Sequence, residues 1–92
     1  MNKPLFKLGM LAATPGALEA MRQAEQQPSE LLHRHLIGDW GDLDDADKRE
    51  NVLSVKRGHR ILSAYTLATG EKVWVITEAS REATTILLPS EY

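Results

Sequence analysis

No cysteine occurs in the 92-residue chain. That absence removes a disulfide framework, a thiolate nucleophile and any cysteine-based metal site, and it fits a reducing compartment. An excess of basic charge is missing as well: the formal net charge is −2, so the general electrostatic footprint of a nucleic-acid binder is absent. There is no glycine-rich phosphate loop and no dinucleotide fingerprint, and nothing in the pattern calls for a cofactor. No segment approaches the ~18 apolar residues of a membrane span. Lys3 and Lys7, followed by residues 8–13 and then small residues, have the order of a secretory leader. Lys7 and Gly9 interrupt that run, however, and it is short beside a ~7–15-residue leader core. The expected location is therefore the cytoplasm, with no membrane association.

What is present is ordinary globular material, 42% hydrophobic and 26% charged. A chain of this length makes one domain, residues 1–92, able to bury a single core without metal or disulfides. Residues 5–13 (LFKLGMLAA) read as a first strand, ended by Thr14-Pro15-Gly16. Thr14 is a good N-cap with Pro15 at the first helical position. Helix one is expected over 15–26, with Ala17, Leu18, Met21 and Ala24 as its buried stripe. Helix two is expected over 28–37, with Leu31, Leu32, His35 and Leu36 on one face and Gly38 stopping it. Asp44 caps a third helix, with Asp47 placed to complete a capping box. That helix runs to about Arg57, where Lys56 and Arg57 suit the negative end of its dipole. Its apolar face (Ala46, Val52, Leu53, Val55) is thin.

Residues 59–92 spell three short strands in a meander. Thr69-Gly70 is a turn signal, and pairing Ala68 with Glu71 sets Tyr65 opposite Trp74 and Ser63 opposite Ile76. A second loop carries Ser80, Arg81 and Glu82; pairing Glu78 with Thr84 then sets Ile76 opposite Ile86 and Val75 opposite Leu87. Pro89 ends the last strand. Alternation puts Ile61, Tyr65, Leu67, Trp74, Ile76, Ile86 and Leu88 on one face, and Leu62, Ala64, Val73, Val75 and Leu87 on the other. The expected fold is α+β in the order β-α-α-α-β-β-β, the first strand joining the sheet. Two apolar faces need two covers. The second is helix three, a crossing strand or another protein, and a homodimer through the face bearing Tyr65, Trp74 and Ile76 is one such solution.

Four constellations could carry chemistry. Arg60, Glu78, Arg81, Thr84 and Thr85 gather at one sheet end in that register; a carboxylate base, arginines for phosphate and a hydroxyl donor could support RNA cleavage. The plain structural counterpart is an Arg–Glu pair pinning a hairpin, with threonines chosen for β propensity. The run from Asp39 to Glu50 holds six carboxylates against Lys48 and Arg49, a local balance of −4. It could imitate nucleic-acid phosphate toward a basic partner, or simply be a solvated helix start. As a calcium loop it fails, because Asp42 and Asp44 match but Ala46 does not. His33 and His35 are two apart and point to different helix faces, a poor metal pair. His35, in the apolar stripe, suits a core histidine bonded to Asp39 or Asp42, with a catalytic role for it or His59 left open. Trp40, in a glycine-flanked loop, is either a core plug or an interface anchor.

The wording RHLIGDWGDL (34–43), GHRILSAY (58–65), VWVITEASREATTILLP (73–89) and the closing EY resembles a family of small proteins from bacteria, plasmids and phages, usually called plasmid-related proteins, without an established activity. The resemblance covers nearly the whole chain. It implies the company of mobile elements more than a chemistry. Those relatives typically carry Asp where this chain has Ser80, so a role resting on that carboxylate does not carry over. A fold-level resemblance to RelE-like and barnase-like ribonucleases implies helices preceding an antiparallel sheet, with Arg60, Glu78 and Arg81 standing in for catalytic groups.

The favoured expectation is an accessory protein that binds a macromolecule, foremost a protein, and modulates a host nucleic-acid-handling or defence system. Its binding residues are Asp39, Trp40, Asp42, Asp44, Asp45, Asp47, Glu78 and Arg81. The alternatives are a ribonuclease using Arg60, Glu78, Arg81 and Thr85 with His35, the one reading that takes nucleic acid as partner, and a structural homodimer without chemistry.

Overall fold

The computed structural model describes residues 3–92. The element order is β1 (Met10–Ala13), α1 (Pro15–Ala24), α2 (Pro28–Leu36), α3 (Asp45–Arg57), β2 (Ile61–Thr66), β3 (Lys72–Thr77), β4 (Ala83–Leu87) and a closing 3-10 turn (Pro89–Glu91). This is the expected α+β order. The sheet is mixed, though, and not a pure meander: its strand order is β1-β4-β3-β2, with β1 parallel to β4 and the other pairs antiparallel. β1 is also shorter than expected. The chain breaks at Gly9, whose φ is +70°, and Leu5 is tied instead to the end of α2, where its N–H donates to the Leu36 carbonyl at 3.0 Å.

The helix starts follow from capping. Thr14 Oγ1 accepts from Ala17 N–H at 3.1 Å, and Pro15 occupies the first turn, where its missing N–H costs nothing. Thr14 in turn donates to Glu91 Oε1 at 2.5 Å, fastening the 3-10 turn to the start of α1. Asp44 Oδ1 accepts from Asp47 N–H at 2.8 Å and begins α3; Gly58, left-handed at φ +74°, ends it.

Both hairpins differ from the expected register by one residue. Tyr65 lies opposite Val73, Ser63 opposite Val75 and Ala64 opposite Trp74. The reason is loop length. Leu67 N–H donates to the Glu71 carbonyl at 2.8 Å, which leaves a loop of residues 68–70 closed by left-handed Gly70, one residue longer than a tight two-residue turn. In the second hairpin Glu78 N–H donates to the Ala83 carbonyl at 3.0 Å. Val75 then faces Ile86 and Trp74 faces Leu87. That loop is one residue shorter than expected, because Arg81 takes a left-handed φ of +63°. The two shifts cancel across the sheet. β2 and β4 keep their expected faces, and β3 alone is turned over.

The inner face therefore carries Ile61, Ser63, Tyr65, Leu67, Val73, Val75, Thr77, Thr84 and Ile86, all buried. Ala17, Ala20 and Met21 of α1 and Leu31 of α2 pack on it. Leu18, placed in the stripe by periodicity, is 48% exposed. The outer face carries Leu62, Ala64, Trp74, Ile76 and Leu87. Tyr65 and Trp74 consequently lie on opposite faces, so no dimer contact can use Tyr65, Trp74 and Ile76 together. Trp74 packs edge-on against Tyr92 at 5.7 Å, and α3 meets the sheet at β2. α3 turns Asn51 and Ser54 inward and leaves Val52 and Leu53 exposed, the reverse of its expected apolar face. Among the described residues no helix is long and apolar enough to cross a membrane.

Candidate functional site

The expected catalytic cluster is divided by the fold. Arg81 is drawn into the structure: its Nη1 donates to the carbonyls of His59 (2.7 Å), Glu78 (3.1 Å) and Ala79 (3.3 Å), and its Nη2 to Ser54 (2.9 Å). The guanidinium also lies 5.7 Å from the centre of the Phe6 ring. Its donors tie the end of α3 to the β3–β4 hairpin. Glu78 is exposed, and among the described residues the ion pairs are Arg22–Glu19 and Arg34–Asp39, neither involving Glu78, Arg60 or Arg81. Arg60 donates to the Tyr92 hydroxyl and lies over that ring. Thr84 points into the core while its neighbour Thr85 points to the outer face, opposite Ile76. The five residues do not share one surface.

His35 is in the core, as its stripe implies, but with other partners than Asp39 or Asp42. Ser63 Oγ lies 2.5 Å from His35 Nδ1, Thr77 Oγ1 lies 2.9 Å from Nε2, and Thr84 Oγ1 lies 2.7 Å from Thr77 Oγ1. Thr84 donates to the Leu8 carbonyl at 2.7 Å. A carbonyl only accepts, and this fixes the protons from Leu8 back to the imidazole. With the Thr84 proton on Leu8, Thr84 accepts from Thr77, and Thr77 accepts from His35 Nε2–H. Burial pushes the His35 pKa down to about 4, so the ring is neutral, the Nε2–H tautomer, and its Nδ1 accepts from the Ser63 hydroxyl. Serine hydroxyl against imidazole is the geometry of an activated nucleophile. Here both residues are 0% exposed, and the pair serves to satisfy polar groups across α2, β2, β3, β4 and the N-terminal segment.

Trp40 is a core plug. It is buried, stacked on Phe6 at 6.5 Å and edge-on to His35 at 6.0 Å, so it is unavailable as the exposed anchor of an interface. The backbone beside it pairs with β2: Ala64 N–H donates to the Trp40 carbonyl at 3.2 Å, and Asp42 N–H to the Ala64 carbonyl at 2.7 Å. Gly41 makes that approach possible, since a Cβ there would sit 1.9 Å from the Ala64 carbonyl oxygen at a φ of +76°. Tyr65 donates to the Asp39 carbonyl at 2.6 Å beneath the Arg34 guanidinium, and burial pushes its pKa up to about 12.

The acidic run divides into engaged and open members. Asp39 pairs with Arg34 at 2.6 Å; that hydrogen bond holds its carboxyl below the usual range. Asp42 accepts from Thr66 Oγ1 at 2.7 Å, and Asp44 is the cap of α3. The side chains of Asp45, Asp47 and Glu50 are exposed. Asp47 and Glu50 line a groove of about 240 Å3 between α3 and β2, together with Leu43, Asn51, Ser54, Leu62 and Arg60. The acidic run and Arg60, separate in the sequence, thus meet in one concavity. Asn51 is the residue sequence reasoning missed. Its Nδ2 donates to the Leu62 carbonyl at 2.7 Å and its Oδ1 accepts from Leu62 N–H at 3.2 Å, as a neighbouring strand would. Among the described residues no three His, Asp or Glu side chains are grouped as metal ligands.

Fold and groove together define a small mixed-sheet α+β protein with an acid-walled cleft on one flank. Searches against protein-family models, curated proteins and solved structures find no match for this chain.

Proposed function

We propose that the chain is an accessory protein of mobile elements, working in the cytoplasm by binding another protein through the α3–β2 flank and so modulating a nucleic-acid-handling or defence system. The observation that carries this reading is the groove itself. Asp47 and Glu50 stand on a capped helix, one wall is closed by the Asn51–Leu62 pairing, and Arg60 also lines the groove. Such a cleft suits a basic side chain of the partner donating to Asp47 and Glu50, beside a carboxylate or carbonyl of the partner that accepts from Arg60. The surrounding acids, Asp42 and Asp45 included, would steer a basic surface toward it. The ribonuclease reading asks Arg81 for a free guanidinium, and Arg81 spends its donors on backbone carbonyls.

The test is capture from a bacterial lysate treated with nuclease, using tagged wild type and the double variant Asp47→Lys/Glu50→Lys, which leaves the Asp44 cap in place. A stoichiometric protein held by the wild type and lost by the variant, with little change in melting temperature, supports the proposal. Equal capture by both refutes the assignment of the groove. Discrete RNA cleavage by the purified wild type, abolished by Arg60→Ala, would put the ribonuclease in its place.

A further inference from the structure

We propose, on the reading of the α3–β2 groove as a protein-binding site, that what it receives is a protein C-terminus ending in a basic residue. The cationic side chain of that residue lies on Asp47 and Glu50, and its free α-carboxylate on Arg60 and the Ser54 hydroxyl. The observation that goes beyond the acidic wall is Ser54, which is 3% exposed. Its carbonyl accepts from Gly58, His59 and Arg81, but its hydroxyl has no partner among the described residues. No fully enclosed side-chain nitrogen or oxygen of those residues lacks a partner, so the Ser54 hydroxyl keeps its opening on the groove that the residue lines. A hydroxyl so deeply set and left unpaired is held ready for a group from outside. Arg60 is ready in the same sense. It lines a groove with two carboxylates, yet among the described residues it forms an ion pair with neither.

The groove has two unlike ends. Asp47, Glu50, Asn51 and Ser54 follow along α3 at i, i+3, i+4 and i+7, one stripe of the helix, about 10 Å from Asp47 to Ser54. The chain reverses between α3 and β2, and Asn51 pairs with Leu62 midway. At one end His59 N–H donates to the Ser54 carbonyl at 3.1 Å, which sets Ser54 beside the turn leading into Arg60. At the other end Asp47 stands with Leu43, next to the Asp42–Ala64 backbone bond. Arg60 Nη1 donates to the Tyr92 hydroxyl, which steadies the guanidinium and leaves its other donors for a carboxylate. Leu43 and Leu62 offer apolar surface to an aliphatic stem. At about 240 Å3 the groove is smaller than the ~300–1,000 Å3 of drug-sized sites and suits a single residue. The carboxylate that answers Arg60 then belongs to the same residue as the cation, and among protein residues that combination occurs at a basic C-terminus.

The test is fluorescence anisotropy with a labelled glycine-serine peptide ending in arginine, as the free acid and as the C-terminal amide. The amide carries the greater positive charge, so general attraction to an acidic surface favours it, and only the Arg60–Ser54 end favours the acid. The acid is expected to bind at least about tenfold more tightly than the amide, the worth of a charge-assisted bond. Arg60→Gln should bring the acid down to the level of the amide without weakening the amide. Ser54→Ala should weaken the acid about fivefold and leave the melting temperature unlowered, since alanine suits a helix better and no bond within the protein is lost. Equal binding of acid and amide overturns the terminus and leaves the groove to internal basic side chains, which the lysate capture tests separately. L-arginine binding more tightly than the peptide overturns it in favour of a free amino acid. A lowered melting temperature in Ser54→Ala reveals a structural bond from that hydroxyl and overturns the proposal as well. Binding of neither peptide at about 1 mM overturns it whatever the lysate capture finds.

Discussion

Lowering the pH from 7.5 to 5.0 should cost this fold about 2 kcal/mol through one side chain. His35 is wholly buried as a neutral imidazole, its Nδ1 committed as acceptor and its Nε2–H as donor. Protonation puts a second donor at Nδ1 against a hydroxyl already donating to it, and sets a charge among apolar and hydroxyl groups. Burial holds its pKa at about 4 in the folded chain against 6.5 unfolded. Between those values the unfolded chain binds the extra proton and the folded chain does not, so stability falls as pH falls. The gap of about 2.5 units sets a ceiling of about 3 kcal/mol, approached below the folded pKa, and about 2 kcal/mol of it is lost by pH 5. Asp39, Glu19 and Glu91 also have lowered pKa values, but carboxylates of that kind act below this window. Urea denaturation at the two pH values, in a His33→Gln/His59→Gln background where His35 is the remaining histidine, isolates the effect. An imidazole titrating near 6.5 by NMR in the folded chain, or a free energy unchanged from pH 7.5 to 5.0, would refute the proton assignment from Leu8 back to Ser63.

Asn51→Ala strips both partners from the Leu62 backbone and should cost about 2 kcal/mol in urea melts; a loss below about 0.5 kcal/mol would mean water replaces the amide without penalty. Arg81→Gly relieves a left-handed residue but deletes the guanidinium that spans α3 and the hairpin. It should still lower the melting temperature, and a rise would show that backbone strain outweighs those hydrogen bonds. Gly41→Ala drives a Cβ into the Ala64 carbonyl and should cost more than about 2 kcal/mol, with hydrogen exchange at Ala64 rising first if the bridge to β2 is what breaks.

How much of this was legible depends on the range of the signal. Thr14, Asp44 and Gly58 announce helix ends because a cap acts on residues three or four away, and each does what its type implies. Loop length is less local. Thr69-Gly70 marks a turn, but whether two or three residues close it is decided by Leu67 and Glu71, and that single residue turns β3 over. The same one-residue difference hides the inward pointing of Thr77, so the apolar stripe sets His35 in the core but does not reveal its partners. Thr84 suits a strand by its β propensity, and the fold makes it a link in a hydrogen-bonded chain as well. Asn51 left no trace at all, since a polar residue among Arg49, Glu50 and Lys56 looks like one more solvated position on α3. The groove joining Asp47 and Glu50 to Arg60 was out of reach for another reason: it exists only once α3 lies beside β2.

The parallel pairing of β1 with β4 has a consequence for the order in which the molecule can come together. Thr84 reaches the Leu8 carbonyl across 76 residues, and none of the β1–β4 ladder can form until both helical and hairpin regions have been made. During synthesis the first strand therefore waits, with the backbone N–H groups of Met10 and Thr14 that β4 will satisfy still unpaired, while α1, α2, α3 and the β2–β3 hairpin assemble from nearer contacts. Closure of a long loop is a slow step, and an apolar strand left waiting is a site where nascent chains stick to one another. The late zipping of β1 onto β4, and the locking of the Ser63–His35–Thr77–Thr84–Leu8 chain that accompanies it, would be the event that ends this vulnerable interval.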